Sequence, residues 1–164
     1  MKKGFRIAVG IMIIDKDKNI YLFERSDLEN TWQCPEGGLG AGENALDGAM
    51  RELNEEVRIK KEDVNVIAET KEYIPYIFTD SFIDKKTGEW KNTTNKKGYI
   101  GQQKKFFLVE FNGDEKTIHF DEYPEEIEFR SFKKVKKDNF LNELNSDFKK
   151  DMYKTVLDEF KSFL

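Results

Sequence analysis

Cysteine, histidine and excess positive charge are all scarce in this chain. Cys34 and His119 are each alone of their kind among 164 residues. No internal disulfide can form, and soft or imidazole-rich metal clusters of the zinc type are excluded. Lys and Arg number 28 against 32 Asp and Glu, for a formal net charge of -4. That balance argues against nonspecific DNA binding by bulk electrostatics. Long apolar runs are missing too. The opening MKKGFRIAVGIMIIDKDKN holds an apolar stretch too short for a secretory leader, and no segment reads as a membrane span. The expected location is therefore the cytoplasm, with no membrane and no DNA among the partners, and the sequon Asn92-Thr93-Thr94 is a coincidence.

What is present is core material in a polar background. Charged residues make up 37% of the chain and the mean hydropathy is -0.74, yet 14 Phe, 6 Tyr and 2 Trp supply large apolar surfaces. The length fits one domain, residues 1–164, with a sizeable core and no internal repeat.

Phe5 to Ile14 is an apolar, β-branched run, followed by the polar turn 15–19 and a second run from Ile20 to Glu24. The pattern predicts a hairpin. After the turn-rich Trp32 to Gly38 comes a glycine-rich loop and a helix. Val64 to Ala68 and Glu69 to Phe78 read as strands, with Pro75 placing the second at an edge or bulge. Thr79 to Gly98 reads as a long basic loop around a Thr87-Gly88 turn, its charge suited to an anionic substrate or simply to solvent. Lys104 to Phe111 is a strand stopped by Asn112-Gly113-Asp114, His119 reads as a strand residue, and Phe129 to Phe132 as a last short strand. Residues of about 147–163 form a closing helix with Phe148, Met152, Val156, Leu157 and Phe160 on one face. Cys34, with no histidine near it in sequence, reads as a small buried filler.

The most informative stretch is Gly37 to Ile59, GGLGAGENALDGAMRELNEEVRI. As a helix it presents Glu52, Glu55 and Glu56 on one face, because positions i, i+3 and i+4 are neighbours. Leu46, Ala49, Met50, Leu53 and Val57 form a separate core-facing stripe. Three carboxylates converging on one spot repel one another, and an all-oxygen cluster suits a hard cation such as Mg²⁺ or Mn²⁺. Magnesium bridges readily to phosphates, so the chemistry implied is attack of water on a phosphate chain. A merely solvated acidic face is the other reading of these glutamates.

The spacing decides between them. Gly37, Glu43, Arg51, Glu52, Glu55 and Glu56, followed by apolar Ile59, resemble the box of the Nudix hydrolase family over residues 37–59. Six identities at fixed offsets recur by chance at roughly 1 in 10⁷ placements for ordinary residue frequencies. The family pattern expects glycine at position 58, where this chain has Arg58, forced to a positive φ at about 1 kcal/mol if the helix ends in the usual way.

Beyond the box, Phe5-Arg6-Ile7-Ala8-Val9-Gly10 is similar to the YRPNVG of the bacterial RNA pyrophosphohydrolase and dinucleoside polyphosphate hydrolase branch. Trp32 to Gly38 resembles its WQFPQGG, Gly101 to Leu108 its GQKQKWFL, and Phe148 to Tyr153 its FKRxVY. Glu36 stands in place of a glutamine, Ser26 in place of a second arginine, and Gln103, Lys104 and Phe106 also differ. These departures bear on substrate preference more than on the reaction.

The resemblance implies a Nudix-like α/β/α sandwich with a mixed β-sheet. It implies that Glu52 and Glu56 bind the main metal, helped by the main-chain carbonyl of Glu36, while Glu55 binds further metal and orients or deprotonates the water. Glu125, in the Pro124-Glu125 pair, would be another metal ligand or base. Glu43 and Arg51 would lock the loop against the helix, around Gly37. Arg6, Arg25 and Lys105 are implied as phosphate contacts, and Tyr76, Phe148 and Lys149 as holding the 5′ end of a nucleic acid, although Phe148 also reads as core packing. The implied reaction is Mg²⁺- or Mn²⁺-dependent removal of pyrophosphate from 5′-triphosphorylated RNA, a step of mRNA decay. Diadenosine tetra- or pentaphosphate, or another dinucleoside polyphosphate, is the alternative substrate. A hydrolase of small nucleoside diphosphate compounds and a nucleotide-sensing module without catalysis are weaker readings.

Overall fold

The computed structural model describes residues 4–95, 97–120, 127–145 and 147–164, and for Phe148 only the backbone. Its centre is β1 (Phe5–Ile14), whose last seven residues are all buried. β1 runs parallel to β9 (Gly101–Phe111) along its whole length, from Phe5 opposite Gly101 to Ile14 opposite Glu110. Both strands are covered on two faces, which is why they read as continuous apolar runs without alternation.

The remaining strands add antiparallel partners. β2 (Ile20–Arg25) joins β1 through the expected hairpin, and β10 (Phe129–Val135) pairs with β2 at one edge. β5 (Val64–Glu69) flanks β9 at the other edge, giving the order β10-β2-β1-β9-β5. The short β3 (Trp32–Gln33), β4 (Glu36–Gly38) and β6 (Ile74–Ile77) pair with β2, β1 and β9 respectively. The sheet is therefore mixed. Pro75 lies in β6, a marginal strand, as its missing N–H requires.

One face of the sheet packs Val9, Ile11, Ile13, Phe107 and Val109 against Ala49, Leu53 and Val57 of α1 (Ala45–Val57). The other packs Met12, Ile14, Phe106 and Leu108 against α2 (Lys137–Glu143) and α3 (Asp147–Phe160), through Phe140, Met152, Tyr153, Val156 and Phe160. This is the α/β/α sandwich. Cys34 is buried in the second core, where burial pushes its thiol up to about 12, and it is an inert filler.

Several local expectations change. Glu69 to Phe78 is not one strand: Thr70 accepts the turn between β5 and β6, its N–H bonding to the Phe106 carbonyl at 2.9 Å. Thr79 to Gly98 contains a two-stranded ribbon, β7 (Phe82–Ile83) with β8 (Trp90–Lys91), too short to show a period. β10 runs on to Val135, and α2 is an added element of seven residues whose only apolar side chains, Phe140 and Leu141, are too few to show a helical period. His119 is exposed and outside any strand, Leu46 is exposed instead of joining the α1 stripe, and α3 stops at Phe160.

Asn44 caps α1, accepting from the Leu46 N–H at 2.8 Å, and the helix ends on Arg58 at φ 63°. The exit thus keeps the left-handed geometry despite the missing glycine. Arg58→Gly is expected to change stability by no more than about 1 kcal/mol, whereas Arg58→Val, β-branched in the left-handed region, should lose a further ~1–2 kcal/mol. Urea midpoints check this; equal losses in both variants would mean that the Arg58 side chain, not φ, governs the helix end.

Candidate active site

The site is assembled where the loop after β4 meets α1. Arg51 joins them. Its Nε and Nη2 donate to the two oxygens of Glu43 at 2.7 and 2.9 Å, and Nη2 donates again to the Gly38 carbonyl at 3.0 Å. Its Nη1 donates to Glu52 Oε1 at 2.7 Å and to Glu55 Oε2 at 2.9 Å. Glu43 Oε2 also accepts the Gly40 N–H at 2.8 Å, so the loop closes on the same carboxylate.

The loop glycines are required by close approach. A Cβ on Gly37 would lie 1.9 Å from the carboxyl carbon of Glu52, and one on Gly38 would lie 2.1 Å from Nη2 of Arg6. Glu56 reaches the same loop, its Oε2 accepting the Glu36 N–H at 3.1 Å. Burial, followed by the charges of Glu52 and Glu128, holds the Glu56 carboxyl well above its ordinary range. Burial also raises Glu52, against the pull of Arg51. Glu55 by contrast is half exposed and turned onto Arg51. The three carboxylates therefore do not converge: among the described residues no group of three or more His, Cys, Asp or Glu side chains is gathered closely enough to hold an ion.

A cavity of about 390 Å³ opens over this corner. It brings Glu36, Glu52, Glu56 and Glu128 together with the cations of Arg6, Arg25 and Lys149, the amides of Gln33 and Gln102, and the rings of Tyr76 and Phe78. Arg25 is braced by Asp27 at 2.6 and 2.8 Å. Ser26, where the branch pattern has arginine, donates its hydroxyl to the Ile127 carbonyl and its N–H to the Glu128 carbonyl at 2.9 Å, stitching down the backbone that carries Glu128.

Beside the cavity, the Glu36 carboxylate sits between two ammoniums. Lys104 Nζ is 2.5 Å from its Oε2, with a side chain fully out of solvent, and Lys149 Nζ donates to its Oε1 at 2.5 Å and to Gln33 Oε1 at 3.1 Å. Burial would push Glu36 up, but Lys104 and Lys149 outweigh it and hold the carboxyl at about 2. Burial draws Lys104 down to about 8 while Glu36 resists. Both groups are charged at neutral pH. The Tyr76 ring lies under the two ammoniums, 4.8 Å from that of Lys104 and 5.7 Å from that of Lys149.

Of the residues singled out in the sequence, Arg6, Arg25, Glu36, Gly37, Glu52, Glu56, Tyr76 and Lys149 line one cavity, and Glu43 and Arg51 stand behind it. Lys105 does not: its ammonium lies 3.4 Å from Glu69 and 3.3 Å from the Lys71 carbonyl, on the other side of β9 from Lys104. Glu125 and the side chain of Phe148 lie outside the described residues. Gln33, Phe78, Gln102, Lys104 and Glu128 are additions. Gln33 and Gln102 had a signal in the matching WQ and GQ of the branch motifs, and Glu128 in the run Glu125-Glu126-Ile127-Glu128.

Glu52 and Glu56, both with raised carboxyls, share the cavity lining with Glu128 and with the Glu36 to Gly38 loop. Excess negative charge of that kind fits a hard divalent cation. Fold and site together define an α/β/α sandwich whose acidic pocket is rimmed by cations. The NUDIX domain model matches residues 4–154, and the chain belongs to that family, whose hydrolases generally need divalent metal ions. An RNA pyrophosphohydrolase of Wolbachia pipientis subsp. Culex pipiens is 34% identical over 163 residues, spanning 99% of this chain and 93% of that protein. One from Zymomonas mobilis is 35% identical over 161 residues, spanning 98% and 97%. A solved C. elegans Ap4A hydrolase complex shares the fold at TM-score 0.65 and 18% identity, covering 96% of each chain.

The pair beside the cavity yields a stability test. Lys104→Met leaves Glu36 with one ammonium and should cost about 3 kcal/mol, near the lower end for breaking a buried pair because Lys149 remains. Adding Glu36→Gln should recover most of that loss in urea unfolding. Additive losses in the double variant would show the two residues to be uncoupled.

Proposed function

We propose that this chain removes pyrophosphate from the 5′-triphosphate end of RNA, leaving 5′-monophosphate RNA, and that residues 1–164 act as one Nudix domain in the cytoplasm. The observation that carries the reading is the shared cavity: carboxylates for a metal, three cations for a phosphate chain and two aromatic rings for a base occupy one space of about 390 Å³. Near full-length identity of 34% and 35% to two RNA pyrophosphohydrolases supports the choice of substrate.

Glu52, Glu56 and the main-chain carbonyl of Glu36 would hold Mg²⁺ or Mn²⁺, with Glu55 as a further ligand. Bound there, the ion supplies neutralisation of charge on the phosphate oxygens. Arg6, Arg25 and Lys149 bind and orient the triphosphate, so that water meets the α-phosphorus in line with the α–β bridging oxygen. The P–O bond to that bridge breaks and pyrophosphate leaves. Glu55, half exposed, leaves Arg51 to take the proton of the attacking water on a carboxylate oxygen. Tyr76 and Phe78 offer stacking faces to the first base. A sensor without catalysis is disfavoured because Glu52, Glu55 and Glu56 are all retained. A dinucleoside polyphosphate presents the same polyphosphate beside a base and is the competing substrate.

Incubation of a short 5′-triphosphorylated RNA with Mg²⁺, beside diadenosine tetraphosphate, separates the two. Pyrophosphate release from the RNA is expected, falling at least about 10²-fold in Glu55→Gln, as for loss of a general base. Cleavage of the dinucleotide with intact RNA would reverse the substrate assignment.

A further inference from the structure

The segment between Phe78 and Ile100 projects as a ribbon fixed at both ends. At the tip, the Asp84 N–H bonds to the Glu89 carbonyl and the Gly88 N–H to the Asp84 carbonyl, each at 2.8 Å, with Gly88 at φ 70°. The Asp84 carboxylate accepts the N–H groups of Lys86 and Thr87 at 2.8 and 3.2 Å and pairs with Lys91 at 2.6 Å. At the root, buried Asn92 donates to Asp80 Oδ1 at 2.8 Å and Ser81 Oγ at 2.9 Å. Its own oxygen accepts the N–H groups of Thr94 and Asn95 at 3.0 and 2.7 Å. Yet this well-tied element leaves Phe82 44%, Ile83 52% and Trp90 43% exposed. Cross-strand pairing puts Ile83 beside Trp90 on one face and Phe82 beside Lys91 on the other. Large apolar side chains held in water by a fixed scaffold mark an interaction surface.

Charge and continuity identify what the surface fits. Residues 79–98 carry five lysines against three acids in a chain whose net charge is -4, and Lys85 and Lys86 stand exposed at the tip. Phe78 lines both the active-site cavity and a second cavity of about 480 Å³ at the root of the ribbon, formed with Thr79, Asp80, Asn92, Thr94 and Asn95. The Phe78 ring also meets Tyr76 edge-on at 6.0 Å. A strand whose 5′ end lies in the active-site cavity thus leaves past Phe78 and reaches a surface of aromatic rings and lysines, the combination that binds single-stranded nucleic acid without sequence preference.

We propose that the ribbon from Phe82 to Lys91 binds the single-stranded RNA nucleotides downstream of the 5′ end, a base stacking on Trp90 and phosphates meeting Lys85 and Lys86. This rests on the RNA-end reading above. The test compares a 5′-triphosphorylated dinucleotide with a 5′-triphosphorylated oligonucleotide long enough to pass the ribbon, on the parent chain, Trp90→Ser and a Lys85→Ser/Lys86→Ser double variant. KM for the longer RNA should rise about tenfold in Trp90→Ser, the loss of one stacked base. In the double variant its dependence on salt should flatten, by about 0.7 in log–log slope per lysine. kcat, and KM for the dinucleotide, should stay unchanged. KM rising equally for both substrates, or for neither, overturns the proposal. A second readout needs no turnover: in Trp32→Phe, where Trp90 is the remaining tryptophan, an unphosphorylated single-stranded RNA should quench its fluorescence. Quenching without hydrolysis of any triphosphorylated RNA would keep the ribbon and discard the RNA-end reading. Absence of quenching, or self-association abolished by Trp90→Ser that assigns the face to a second copy, overturns the ribbon proposal.

Discussion

The guanidinium of Arg51 is the junction on which the site depends. It holds the loop by the Gly38 carbonyl, the turn by Glu43, and the acidic face of α1 by Glu52 and Glu55, all within 3.0 Å. A planar fork with five donors can serve acceptors in several directions at once; an ammonium cannot. Because Glu43 takes two of those donors and a loop N–H besides, the loop has little freedom to drift from the helix. Gly37 can then lie flat under the Glu52 carboxyl, and Gly38 under Arg6. One arginine therefore sets the spacing between the carboxylates of α1 and the guanidinium of Arg6 on β1.

Two charge balances meet across the cavity, and they have opposite signs. On the side of α1, Glu52 and Glu56 are partly buried with raised carboxyls, an environment short of positive charge. On the side of β9 and α3, one carboxylate, Glu36, is shared by Lys104 and Lys149, an environment with positive charge to spare. Lys104 is sealed in the core, so Glu36 would keep a counter-ion if Lys149 turned to an anionic ligand as proposed. The glutamate that replaces the branch's glutamine thus has its own neutralising partner on β9, and it adds no unbalanced negative charge to the loop.

The period of α1, the hairpin of β1 and β2 and the closing helix were legible because each buries one recognisable face or ends on a turn signal. Glycine, glutamate and arginine at fixed offsets likewise placed Gly37, Glu43, Arg51, Glu52 and Glu56 as neighbours. The choice between Lys104 and Lys105 was not legible. On β9, Phe106 and Leu108 face one core while Phe107 and Val109 face the other; a strand buried on both sides shows no alternation, and the parity of a lysine in it carries no sign of which side it serves. Lys104 shares the parity of Phe106 and so faces α3 and Glu36. Glu55 illustrates a different limit. Helical spacing put it on the acidic face, but its long side chain follows the nearest donor, Arg51, and rotamer choice is set by partners that sequence spacing does not contain.

The same limit separates chemistry from recognition in this molecule. The groups that the family pattern fixes are short-range: a loop, one helix, and side chains bonded within a few residues of each other in space. The groups proposed to meet the substrate come from Arg6 on β1, Arg25 on β2, Tyr76 on β6 and Lys149 on α3, brought to one cavity only by the closed sandwich. The ribbon after β6 extends that division. Among its described residues none of those in β7 and β8 joins either core, its strands are two residues each, and its order comes from Asp84 and Asn92 hydrogen bonding to the local backbone and to Asp80 and Ser81. An element tied down in this way can change its exposed residues without disturbing the fold. The exposed rings and lysines it carries are thus free to be set by what lies outside the protein, while the box and its arginine are set by what lies within.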